Sequence, residues 1–175
     1  MHWSYALLLL LSASLSLPAA ATSLQGEGFV VEAWRKASVP DSPLRDLQGR
    51  SWRLADLRGR AVLLNFWASW CEPCRAEMPS LQALQQAHPQ GLVVLAINYK
   101  EAVPTVATFV QRQGWTLPIV TDPEGALARR WGVGIFPSSV LIDARGRVQA
   151  VVRGEVDWQA QQAAPWMQRW LGTAR

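Results

Sequence analysis

The sequence predicts one α/β domain: a mixed central sheet with helices on both faces, preceded by a small N-terminal hairpin. Three observations carry this reading. Two continuous apolar runs rich in β-branched residues, 61 to 67 (AVLLNFW) and 92 to 98 (LVVLAIN), have the composition of strands covered on both faces. Helix-spaced segments lie between and after them, and strand-helix alternation builds a sheet with helices packed against it. A pair of short strands near the C-terminus flanks a glycine turn, so part of the sheet is antiparallel.

In chain order, residues 6 to 17 form a leucine-dominated apolar run. No charged side chain precedes Glu27, and Pro18-Ala19-Ala20-Ala21 supplies small residues at an Ala-x-Ala site. These features predict a secretory signal peptide over residues 1 to 21. Its positive region is weak, with only the amino terminus and His2, so an uncleaved anchor is the alternative. The run from 5 to 21 is shorter than the roughly 20 apolar residues that span a bilayer, which favours cleavage. Residues 22 to 40 show little periodicity and carry Gly26, Gly28 and Pro40. They are expected to form an arm leading into a domain over 41 to 175.

Two short segments between 44 and 54 flank Gln48-Gly49-Arg50, a hairpin turn signal. After the first central strand, residues 71 to 87 have helix spacing, with Met78, Leu81 and Leu84 between glutamines and His88-Pro89 as the stop. Pro79 lies inside this helix and should kink it. Residues 103 to 113 predict a second helix, 117 to 121 a short strand and 123 to 131 a short helix. Residues 139 to 143 and 147 to 152 lie either side of Ala144-Arg145-Gly146 as a strand pair. A final helix is expected near 157 to 171, kinked or divided by Pro165.

Composition excludes some classes. The chain has 175 residues, is 50% hydrophobic and 17% charged, and has a net charge of +4. Those values fit one globular domain and a leader. The arginines alternate with acidic and apolar residues, so they predict a basic surface rather than a nucleic-acid-binding stripe, and no nucleic acid is expected as a partner.

The chemistry is concentrated in two cysteines, Cys71 and Cys74, the only ones in the chain. A disulfide stabilises mainly by closing a long loop in the unfolded chain, and this interval closes almost none. The pair is therefore read as reactive. At the start of a helix, residues i and i+3 share a face, and the free N–H groups and positive dipole end favour a thiolate. Cys71, at the tip, is expected to attack, and Cys74, one turn inside, to resolve the mixed disulfide. Pro73 fits the first turn, where an N–H is dispensable. A structural zinc site needs about four ligands, and His88 is the only histidine outside the leader. Neither metal nor cofactor is expected.

The run Asn65-Phe66-Trp67-Ala68-Ser69-Trp70-Cys71-Glu72-Pro73-Cys74-Arg75-Ala76-Glu77-Met78-Pro79 resembles the active-site segment of the TlpA/ResA branch of the thioredoxin superfamily. The similarity continues through Trp131-Gly132-Val133, Pro137 and Leu141-Ile142-Asp143 to Gly146, covering roughly residues 40 to 155. The resemblance implies a thioredoxin-like fold and an exported thiol-disulfide oxidoreductase, periplasmic and possessing no cofactor. It further implies reduction of disulfides in exported proteins, work in cytochrome c maturation, and a membrane electron donor of the DsbD/CcdA type. Glu72-Pro73 is similar to the reducing type, not to the Pro-His of the oxidant DsbA.

Two departures stand out. Thioredoxins carry a buried Asp six residues before the first Cys; here Asn65 stands there and cannot act as a base. Members similar to ResA have a Glu where this chain has Glu77, so Glu77 becomes the candidate acid/base, against the alternative of a solvated helix residue. Phe136 and Ser138 flank Pro137 where relatives more often have a small or branched residue and Thr. The resemblance implies a cis bond before Pro137, although only about 5% of such bonds are cis, and a loop that pairs with an extended substrate. Trp70, Phe136 and Pro137 are accordingly the expected substrate-binding residues. Arg75 is read as an exposed helix residue, with thiolate stabilisation as its alternative. A disulfide oxidase or isomerase and a copper chaperone of the Sco type are the competing functions. The Pro-x-x-x-Thr-x-x-Cys pattern of peroxiredoxins has no match around Cys71.

Overall fold

The computed structural model describes residues 24–26, 28–34, 43–161 and 164–172. The expected leader lies outside these residues. Two sheets form. The larger has seven strands: β1 (Leu24–Gly26), β2 (Phe29–Ala33), β5 (Ala61–Trp67), β6 (Leu92–Tyr99), β7 (Ile119–Asp122), β8 (Ser138–Ile142) and β9 (Val148–Gly154). Their spatial order is β1-β2-β9-β8-β5-β6-β7. The smaller sheet pairs β3 (Leu44–Arg45) with β4 (Ser51–Trp52) as the expected hairpin. The helices are α1 (Glu72–Ala87), α2 (Val103–Gln113), α3 (Ala126–Trp131), α4 (Trp158–Gln161) and α5 (Pro165–Gly172), with a 3-10 turn at Leu54–Leu57.

The two apolar runs become neighbouring central strands. β5 pairs parallel with β6 and antiparallel with β8, and β6 pairs parallel with β7. Every residue of β5 is buried, because alternate side chains meet cover on opposite faces. Ala61, Leu63 and Trp67 face Met78, Leu81 and Leu84 of α1, Val106 and Val110 of α2, and Trp158, Met167 and Trp170 near the C-terminus. Val62, Leu64 and Phe66 face Leu57, Ala128, Trp131 and Val133. The sheet is mixed and covered on both faces, as the sequence predicts.

Two elements differ from expectation. Where it is described, the segment expected as an arm supplies β1 and β2, which extend the sheet through β2 pairing antiparallel with β9. Gly154 makes room for this. Its φ is +103°, and a Cβ there would lie 2.1 Å from the Gly28 carbonyl oxygen, so only glycine permits the approach. The expected last helix is two helices, with Pro165 opening the second, where its missing N–H leaves no helical bond unmade.

Candidate active site

The chain leaves the central strand β5 at Trp67 and turns into α1, with the Cys71 N–H donating to the Ala68 carbonyl at 3.2 Å. Cys71 is the N-cap of α1. Its backbone is extended, and its Sγ accepts from the Cys74 N–H at 3.3 Å. The sulfur therefore lies on the unpaired donors of the first turn, where negative charge is favoured. Cys71 and Cys74 are joined by a disulfide of 2.03 Å. Cys71 is 6% exposed and Cys74 1%, so the order of access is the expected one, although even the outer sulfur is largely covered. Glu72, Pro73 and Arg75 are exposed.

Phe66 on β5 pairs with Ser138 on β8, which brings the loop before β8 alongside the cysteine turn. The Phe136–Pro137 bond is cis. The Gly154 N–H donates to the Pro137 carbonyl at 2.9 Å, and the Ser138 hydroxyl to the Ile135 carbonyl at 2.7 Å. Trp70, 64% exposed, meets the Phe136 ring edge-on with centroids 6.0 Å apart, and Phe136 lies 4.6 Å from the Tyr99 ring. Thus the structure gathers Trp70, Phe136 and Pro137 beside the cysteines.

Glu77 lies inside the protein. It follows Cys74 by three positions on the buried face of α1 and is 2% exposed, which excludes a solvated helix glutamate. Its Oε1 accepts from the Trp158 indole N–H at 2.5 Å and from the Asn65 side-chain amide at 3.1 Å. Asn65 Nδ2 also donates to Ser139 Oγ at 3.1 Å. Glu77 Oε2 is buried without a hydrogen-bond partner. Burial pushes the Glu77 carboxyl up to about 8, against the pull of the Trp158 indole and the nearby Val156 N–H; the charge of Glu155 adds to the rise.

Two features escape sequence reading. Glu101, just beyond β6, accepts from the Ser69 N–H at 2.7 Å, from the Ser69 hydroxyl, and from Asn98 Nδ2 at 2.7 Å. It ties the turn before Cys71 to the end of the neighbouring strand. Trp158 is fully buried and donates to Glu77. No local pattern announces either, since each partner comes from a distant segment. Among the described residues, no group of three or more His, Cys, Asp or Glu is placed to hold a metal.

A solved thiol:disulfide interchange protein of the thioredoxin family from Chlorobium tepidum superposes with a TM-score of 0.67 at 28% identity, covering 79% of this chain and 99% of that one. A secreted thiol-disulfide isomerase from Corynebacterium glutamicum gives 0.67 at 27%, covering 82% and 91%. With the cysteine pair at disulfide distance, the fold makes this chain a thioredoxin-like thiol-disulfide oxidoreductase. Its residues 36–151 match the AhpC/TSA family, to which the chain belongs. Within that family it is similar to the ResA thiol-disulfide oxidoreductases. It is 42% identical over 119 residues to the one from Geobacillus thermodenitrificans, covering 67% of this chain and 68% of that protein.

Proposed function

We propose that the chain is an exported reductase, periplasmic in location, that reduces disulfides of exported proteins and serves cytochrome c maturation. The observation that carries the direction is Glu72, the acidic residue in the first turn of α1 between the two cysteines. An oxidising couple of the DsbA kind arises when the reduced form is stabilised. Here the acidic side chain of Glu72 between the cysteines disfavours a thiolate and so favours the disulfide, which makes the dithiol a reductant, while the buried carboxyl of Glu77 behind them keeps its proton to about pH 8 and adds no charge below it.

The Cys71 thiolate attacks a substrate disulfide, forming a mixed disulfide and releasing one substrate sulfur, which takes a proton. Glu77 removes the Cys74 proton, and the Cys74 sulfur attacks Cys71 Sγ. The second substrate sulfur leaves, and two electrons have passed to the substrate. A membrane dithiol protein of the DsbD/CcdA type restores the pair by the reverse exchange. Trp70 and Phe136 flank the attacked sulfur, and the Pro137 loop receives an extended substrate segment.

Equilibration with glutathione buffers is expected to give a potential nearer the roughly −270 mV of thioredoxin than the roughly −120 mV of DsbA. A value at the oxidising end would overturn the reductase reading. Cys74→Ser, which attacks but does not resolve, should accumulate mixed disulfides in the exporting cell. Apocytochrome c or its maturation proteins among the trapped partners support the cytochrome role, and their absence counts against it.

A further inference from the structure

Glu77 is held by groups from three other segments. Strand β5 contributes Asn65, strand β8 contributes Ser139 behind it, and the segment from Glu155 to Trp158 closes over the helix. That last segment is stitched to α1 independently of the carboxyl. The Trp158 N–H donates to Ser80 Oγ at 3.2 Å, and the Ser80 hydroxyl lies 2.8 Å from the Glu77 carbonyl and 3.4 Å from the Val156 carbonyl. The indole position is therefore set by the backbone of the helix that carries the cysteines.

We propose that Trp158 is a positioning residue for the proton transfer at Cys74, its indole N–H fixing which oxygen of Glu77 carries the proton. This rests on the reading of Glu77 as the acid/base. An indole nitrogen only donates. The two N–H donors, from Trp158 and Asn65, both fall on Oε1, and Oε2 has no partner. In the neutral acid, Oε1 is therefore the carbonyl oxygen and Oε2 bears the hydrogen. Burial alone would drive such a carboxyl too high to release its proton near neutrality, and a donor on the charged form brings it back. A general base works best when its pKa is close to the ambient pH.

Of the hydrogen bonds to Glu77, that from Trp158 is the shortest. Asn65 donates to the same oxygen at the longer 3.1 Å, the Val156 N–H also pulls the carboxyl down, Glu155 is a like charge that opposes ionisation, and Glu72 and Arg75 of α1 are exposed. Trp158 also differs from an ordinary packing residue in a way that can be measured. Phenylalanine keeps an aromatic ring in the core without the N–H and leaves the carboxyl without its shortest bond.

The test is Trp158→Phe, with the Glu77 carboxyl followed by carbon-13 NMR of glutamate-labelled oxidised protein, so that no turnover is needed. Loss of one hydrogen bond to a charged group should raise its midpoint by about one to two pH units. The C=O stretch of protonated Glu77 should move to higher frequency as Oε1 loses a donor. An unchanged midpoint and stretch would overturn the inference. In the reduced protein, the pH profile of the resolving step should shift up with the NMR midpoint. In a Glu77→Gln background, Trp158→Phe should leave the profile unmoved; a shift there would show that the indole acts through another group. If Glu77→Gln alone keeps the wild-type profile while the NMR shift still occurs, the acid/base reading fails and the hydrogen-bond assignment stands. Should Trp158→Phe not fold, Ser80→Ala carries the test by releasing the Trp158 backbone: a smaller upward midpoint shift supports the inference, and none overturns it.

Discussion

Glu77 is the residue on which burial and chemistry conflict most openly. In the folded chain it keeps its proton to about pH 8, against 4.5 as its ordinary value. Between those values the folded state binds more protons than the unfolded one, so its contribution to stability is fully present below 4.5 and is lost as pH rises through about 8. The oxidised protein should therefore lose stability over that window, with a slope approaching 1.4 kcal/mol per pH unit, roughly, where the difference in bound protons is complete. Glu77→Gln, which keeps size and removes the titration, should flatten the slope. Denaturant unfolding of both proteins at several pH values checks this, and parallel curves would contradict it. A buried carboxyl that costs stability at neutral pH fits the acid/base role proposed for Glu77.

At the scale of elements, two turns share one construction. Asp46-Leu47-Gln48-Gly49-Arg50-Ser51-Trp52 and Asp143-Ala144-Arg145-Gly146-Arg147-Val148-Gln149 both read Asp-x-x-Gly-Arg. In each, the buried carboxylate accepts from the N–H groups two and four residues on, from the arginine Nε, and from a side-chain N–H six residues on. Burial pushes both acids up, but these donors outweigh it and hold both below the ordinary range. The first turn closes the β3–β4 hairpin and the second the β8–β9 hairpin, whose strands run back to the Pro137 loop. Asp143→Asn keeps the shape but loses the charge on a set of charge-assisted bonds, and should cost about 1.5 to 3 kcal/mol in denaturant unfolding at neutral pH. Because the depressed Asp143 contributes stability only above its unfolded value near 3.8, the difference between the two proteins should shrink as pH falls below that value. A neutral-pH cost within error of zero would mean that the turn is held by its glycine and strands alone.

For the whole molecule, the site lies where three segments far apart in sequence meet: the β5–α1 turn, the loop before β8, and the C-terminal segment under α1. The N-terminal strands add a fourth, because β2 lies against β9 and Gly154 both admits that strand and donates to the Pro137 carbonyl. Under the proposed export, cleavage after Ala21 would leave this arrangement whole, since β1 begins at Leu24. N-terminal sequencing of the exported protein is expected to find Thr22 or a residue close to it; Met1 retained in a membrane fraction would show an anchor instead.

Legibility followed the range of the forces. The central strands, α1, α2, both hairpins and the cysteine pair were readable because composition, helix spacing and turn chemistry act over a few residues. β5 and α2 fall on the residues the patterns predict. The strands at 24 to 33 were not readable: β2 is held by an edge of the sheet more than a hundred residues away and by the room Gly154 leaves, neither of which shows in local periodicity. The resemblance to the TlpA/ResA branch supplied Glu77 and the bond before Pro137 as candidates. By itself, then, the sequence determined the α/β class, the reactive pair and the turn signals, because these are local. Tertiary structure alone decided that Glu77 is buried, that Trp158 and Asn65 donate to it, and that Glu101 ties down the turn before Cys71. A pKa and a hydrogen-bond partner depend on what folding brings within about 3 Å, which spacing along the chain does not specify.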